Sequence, residues 1–174
     1  MTNLYFIVVT VHVLAAIVWL GGMIFFALVA PILRQIEDDA FRAQLFDRLG
    51  RRFRVVGWVC IGAMVLTGVE QLRARGWWGT DVWGAEGFWS TRLGGALRWK
   101  LAIVAFMIVV QGVHDFWLGP AAGRTIPGSQ AAGDLRVRAS WLARINAVAA
   151  VLLVYLLAYL LLQLITWLLS FAGT

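Results

Sequence analysis

The chain has 174 residues, 61% of them hydrophobic and 14% charged, with a mean hydropathy of +0.81. A soluble domain carries about a quarter charged residues; this chain has too few to cover a water-facing surface and belongs in a bilayer. Its formal charge of +6 is distributed along the chain in a way that speaks for topology and against nucleic-acid binding.

A spanning helix needs about 20 apolar residues, and four segments reach that length: 4–30, 55–72, 97–118 and 141–171. Lipid satisfies no backbone polar group, so each run is predicted to be a helix. The expected fold is all-α, a single membrane domain over residues 1–174 built as a four-helix bundle. The first run has no Lys or Arg before Arg34. It therefore lacks the basic start of a signal peptide and reads as a true span. Its core, VTVHVLAAIVWLGGMIFF, holds one polar intruder, His12, with Trp19 and Met23 on the same helix face.

After Pro31, the apolar residues Leu33, Ile36, Phe41, Leu45, Leu49 and Phe53 recur at three- to five-residue steps among Arg, Asp and Glu. That predicts an amphipathic helix over 33–54, lying on the membrane surface or extending the second span inward. Asp38 and Asp39 on it read as solvated. The second span carries a lone Cys60, which rules out an internal disulfide, then Met64 one turn on and Glu70 three residues before Arg73.

The next connection, RARGWWGTDVWGAEGFWSTRLGGALRWK, packs Trp77, Trp78, Trp83, Phe88, Trp89 and Trp99 into a Gly-rich stretch. Tryptophan prefers the headgroup level, so an interfacial aromatic cap is expected. The third span opens with Arg98 and Lys100 and closes with His114 and Asp115. Residues 119–140, rich in Gly, Pro, Ala and Ser, read as a mobile linker. Arg144, Asn146, Tyr159 and Gln163 follow in the fourth span.

With four spans, the 31–54 and 119–140 connections share one side and hold most of the arginines. The positive-inside rule puts them in the cytoplasm and both termini on the outer, periplasmic side of a bacterial inner membrane. Ionisable residues inside spans are costly and are functional candidates. They sort by depth into two layers. His12, roughly 12 Å inward from its helix start, joins Glu70, Lys100, Tyr159 and Gln163 in an outer layer. His114, Asp115, Arg144 and Asn146 form an inner one. The two histidines should be roughly 15–20 Å apart along the membrane normal. They cannot share one metal, and a bis-histidine haem within one protomer is disfavoured; a haem with one histidine and a different second ligand, or one shared across a homodimer, stays open. Met23, Cys60 and Met64 offer soft sulfur to a Cu(I) ion at His12. Phosphate loops, HExxH, CxxC and nucleophile elbows are absent from the sequence, so enzymatic activity stays undecided.

His12 with AAIVWLGGMIFF, then WVCIGAMVLTGVEQL, then LRWKLAIVAFMIVVQGVHDFWLGP, resembles the CopD-like family, named for copper-resistance protein D. The first and third stretches also resemble the HemJ group linked to haem biosynthesis. The matching residues are His12, Trp19, Gly21, Gly22, Lys100 and Leu101. The resemblance implies an inner-membrane bundle that handles copper, by binding or transport, or that binds haem b through the first-span histidine. In the copper reading His12 is the ligand, with Met23, Cys60 and Met64 as sulfur donors and Glu70 and Tyr159 fixing it, and a periplasmic copper carrier is the partner. The haem reading makes His12 the axial ligand in a pocket of Ala15, Ala16, Gly21 and Gly22. It sets Lys100 or Arg98 at a propionate and requires a redox partner. A third reading is an accessory subunit whose histidines only tie helices together.

Overall fold

In the computed structural model the described residues are 3–126 and 129–172; the side chains of 122, 123, 157, 160, 161 and 163–172 fall outside the description, and with them Gln163. Every regular element among the described residues is helical: α1 (Asn3–Leu33), α2 (Asp39–Ala74), α3 (Thr80–Trp83), a 3-10 turn (Phe88–Ser90), α4 (Arg92–Gly112), a π-helical turn (Val113–Leu118), α5 (Gly119–Gly123) and α6 (Gln130–Ala172). Four helices are long and apolar enough to cross a membrane, the third running from Arg92 to Ala121 through the π-helical turn. The chain is a multi-pass membrane protein.

Pro31 lies in the last turn of α1, where its missing N–H leaves the carbonyl four residues back without its helical bond, and the helix ends two residues later. The chain then turns through 34–38, and Asp38 starts the next helix. Its carboxylate accepts from the backbone N–H of Ala40 and Phe41 at 2.9 and 3.0 Å, the N-cap arrangement that satisfies orphan donors. Asp39 pairs with Arg42 on the same helix. The amphipathic segment expected over 33–54 is thus the first half of α2, continuous with the second span. At 36 residues α2 is about 54 Å long, well beyond the roughly 30 Å hydrocarbon core, so its arginine-rich half projects out of it.

α1 and α2 form a tight antiparallel hairpin. Arg75 donates to the Tyr5 hydroxyl at one end, and Phe25 and Phe26 meet Phe53 at the other. Between them Trp19 lies against Gly57, and Phe53 against Gly22. At Gly22 the ring takes the space where a methyl group would stand, while at Gly57 Trp19 keeps ordinary van der Waals distance. α4 and α6 form the second hairpin. The two meet at an apolar waist of Met107, Ala149 and Ala150, onto which Trp19, Leu20, Met23, Ile103 and Leu153 pack. Met107 is 1% exposed. The opposite side of α1 leaves Leu4, Phe6, Ile7, Leu14, Ile17 and Val18 exposed, as lipid requires.

The tryptophan-rich connection folds on itself. Trp83 Nε1 donates to the Trp77 carbonyl at 2.6 Å and Trp89 Nε1 to the Trp83 carbonyl at 2.8 Å. Trp78, Trp83, Trp89 and Phe88 meet edge-to-face in sequence. Trp99 stands apart, exposed on α4. The 119–140 segment differs from the mobile linker expected of it: α5 continues the third span and α6 begins at Gln130. Its alanines and the i, i+4 spacing of Ala132 with Arg136 favour helix once α4 and α6 pack, and Ala132 is buried.

A Cβ at Gly22 would lie 2.7 Å from the Phe53 ring. Gly22→Ala is expected to destabilise the fold by about 1–3 kcal/mol through overpacking. Phe53→Leu in the same chain should restore most of it, read as thermal unfolding in detergent.

Candidate functional site

Two polar clusters sit inside the spans, one toward the tryptophan-rich end and one toward the arginine-rich end. The first is built on the α1/α2 hairpin. His12 Nδ1 lies 2.8 Å from Thr67 Oγ1, and the Thr67 hydroxyl also lies 2.6 Å from the Ala63 carbonyl, four residues back on its own helix. A hydroxyl has one proton. Given to Ala63, it leaves the oxygen able only to accept from His12, so Nδ1 carries the imidazole proton. Nε2 is therefore the free lone pair. The ring lies against Gly68, 3.6 Å from where a Cβ would stand.

Around this imidazole the sequence-predicted partners divide. Met64 lies one turn before Thr67 and Gly68 on the α2 face that meets His12. Met23 is eleven residues along α1, a rise of about 16 Å, and packs on the waist instead. Cys60 is buried seven residues from Thr67, about 10 Å along α2. A metal held by nitrogen at about 2 Å and sulfur at about 2.3 Å cannot join either of them to His12. Glu70 and Tyr159, expected to fix the histidine, are both exposed, Tyr159 at 45%; Thr67 does that work. Arg73, offered as the alternative partner of Glu70, lies over the Trp78 ring.

Lys100 is half-buried, and its charge reaches both His12 and Arg75. It has no ion pair among the described residues. Arg98 is exposed and lines a surface hollow with Trp89 and Leu101. One turn beyond Thr67, the Gln71 amide nitrogen is buried without a partner among the described residues. Of the small residues expected to line a haem pocket, Gly22 has the Phe53 ring against it and Ala15 is buried, while Gly21 has open space beside it. Among the described residues no three His, Cys, Asp or Glu side chains converge on one point.

The second cluster centres on Asp115, 5% exposed. His114 Nδ1 is 2.9 Å from its Oδ1, while Gln111 Nε2 and Trp58 Nε1 donate to Oδ2 at 2.8 and 3.0 Å. Asn146 Nδ2 donates to Gln111 Oε1 at 3.0 Å. His114, Asp115 and Asn146 thus meet, with Gln111 and Trp58 as members that sequence reasoning missed. Arg144 stays out, its guanidinium 5.2 Å from the Trp141 ring centroid. Thr67, Gln71 and Gln111 were visible as polar residues within spans; nothing in the sequence marked which way they turn.

The family profile for copper resistance protein D matches residues 47–161. The chain belongs to the CopD family. The matched stretch holds Met64, Thr67, Lys100, Asp115 and Asn146, and His12 lies before it. The chain is also 27% identical over 147 residues to an uncharacterized protein of Aquifex aeolicus (strain VF5), covering 83% of this chain and 87% of that one. No solved structure matches.

Removing the Asp115 carboxylate strands three donors in a buried place. Asp115→Leu is expected to cost about 2–4 kcal/mol and Trp58→Phe about 1 kcal/mol, measured by denaturation in detergent.

Proposed function

We propose that this CopD-family chain handles copper, as Cu(I), at His12 in the outer half of an inner-membrane bundle with both termini in the periplasm. The observation that carries the reading is the Thr67 hydroxyl, whose acceptance of the Nδ1 proton leaves Nε2 bare. A histidine that ligates metal commonly has its other nitrogen tied in this way, which fixes tautomer and ring orientation. Met64 supplies the thioether of the same α2 face, and the pair of borderline nitrogen and soft sulfur selects Cu(I) over harder cations. The cap of Trp77, Trp78, Trp83 and Trp89 stands at the same end as the site. A periplasmic copper carrier is the natural donor, and the single imidazole suits a passing ion better than a stored one.

A second reading draws on Lys100 and Gln71. A cation and an unpartnered amide donor beside a ligating imidazole suit the iron and propionates of haem b, and would make the chain a redox protein. Lys100 decides between the two, because its charge opposes a bound Cu(I) and favours a propionate.

Cu(I) competition against a chromophoric chelator, with absorption spectra before and after dithionite, tests both. The copper reading expects one tight site, lost in His12→Ala, weakened about 10–100-fold in Thr67→Val, and tightened in Lys100→Ala. Copper binding unchanged in His12→Ala would overturn it. A Soret band that vanishes in His12→Ala and weakens in Lys100→Ala would establish the haem reading in its place.

A further inference from the structure

We propose that His114 and Asp115 form a proton-binding pair at the arginine-rich end of the bundle, taking up and returning one proton at His114 Nε2. This stands apart from the copper reading and fails or survives without it.

The backbone is the first sign. Neighbouring residues on an α-helix point about 100° apart and do not face each other. His114 and Asp115 nevertheless bond at 2.9 Å, within the π-helical turn over Val113–Leu118. Such turns are rare and recur at functional sites. A purely structural carboxylate had no need of it, since Trp58 and Gln111 already tie Asp115 across the bundle.

Charge is the second. A carboxylate buried this deeply is costly unless a cation compensates it. Two arginines approach from other helices. Arg54 of α2 has its terminal nitrogen against the Gly119 backbone, near the His114 carbonyl. Arg144 of α6 lies over Trp141. Neither pairs with Asp115, and the ionisable group bonded to it among the described residues is His114. A proton on His114 makes the pair neutral overall. With Nδ1 held by Asp115, that proton enters and leaves at Nε2. The side chain of His114 is 35% exposed while that of Asp115 is 7%, so the pair has one open end.

The third is a polarity written through the amides. Asp115 Oδ2 can only accept from Gln111, which turns Gln111 Oε1 toward Asn146 and fixes the Asn146 nitrogen as its donor. Among the described residues Asn146 Oδ1 is left buried without a partner, in a residue 2% exposed. An oxygen in that position calls for a water, at the far end of the amide network from His114.

The test uses the full chain in lipid nanodiscs, with ¹⁵N-labelled histidine and carboxyl-¹³C-labelled aspartate, followed by NMR from pH 8 to pH 5. The chain has only two histidines, so His114→Gln assigns both imidazole signals, and the Asp115 carboxyl is the one that this variant perturbs. The inference expects the His114 nitrogens and the Asp115 carboxyl to change together in one reversible step, as coupled sites do. In His114→Gln, which keeps a hydrogen bond to Asp115 but holds no exchangeable charge, the Asp115 signal should stay still across the same range. Either of two results would overturn it: His114 changing while Asp115 does not respond, or neither signal moving. Circular dichroism of the variant confirms that its helices remain.

Discussion

One hydroxyl proton orients the imidazole in the tryptophan-rich half of this protein. Thr67 gives it to the Ala63 carbonyl, and the oxygen can then only accept from His12. That contact sets the tautomer, leaves Nε2 free and holds α1 in register with α2. A valine in place of Thr67 would fill the same volume and keep the helix, yet leave the imidazole free to turn and to choose its own proton. The chemistry of the site therefore rests on a residue that ligates nothing.

Polar contacts of this kind contribute modestly to stability. Hydrogen bonds between membrane helices are worth about 0.6–2 kcal/mol each, less than the packing around them. Their larger effect is selection among arrangements. The hairpin of α1 and α2 is close where Gly22 admits the ring of Phe53, and the waist at Met107, Ala149 and Ala150 brings the second hairpin against it. Packing alone would tolerate a helix rotated or slid by a turn. His12 on Thr67, Trp58 on Asp115 and Asn146 on Gln111 do not, because each slip would strand a donor where no water can serve it.

The fold was legible because a bilayer imposes two simple requirements, length and apolarity, and four runs met them. Depth was legible for the same reason: counting residues along each span separated His12 from His114 before any coordinates. Rotation was not. Whether Glu70 or Thr67 turns toward His12 depends on how α1 and α2 pack, and that follows from Gly22, Gly57 and Gly68 only once the helices are together. Shared face was also mistaken for nearness in Met23, which has the right angle and lies about 16 Å too far along. The π-helical turn leaves no mark, since no Pro or Gly lies within Val113–Leu118. Reading those six residues as α-helix separates His114 from Asp115. The 119–140 segment misled by composition: its small residues serve close helix packing as readily as flexibility.

The tautomer of His12 tests the account most directly. Two-dimensional ¹⁵N–¹H NMR through multiple bonds, on histidine-labelled protein in nanodiscs without added metal, separates the two neutral forms of an imidazole. The prediction is the Nδ1–H form for His12, giving way to a mixture or to the Nε2–H form in Thr67→Val. An Nε2–H imidazole in the native chain would contradict it, since the nitrogen assigned to the metal would already hold a proton.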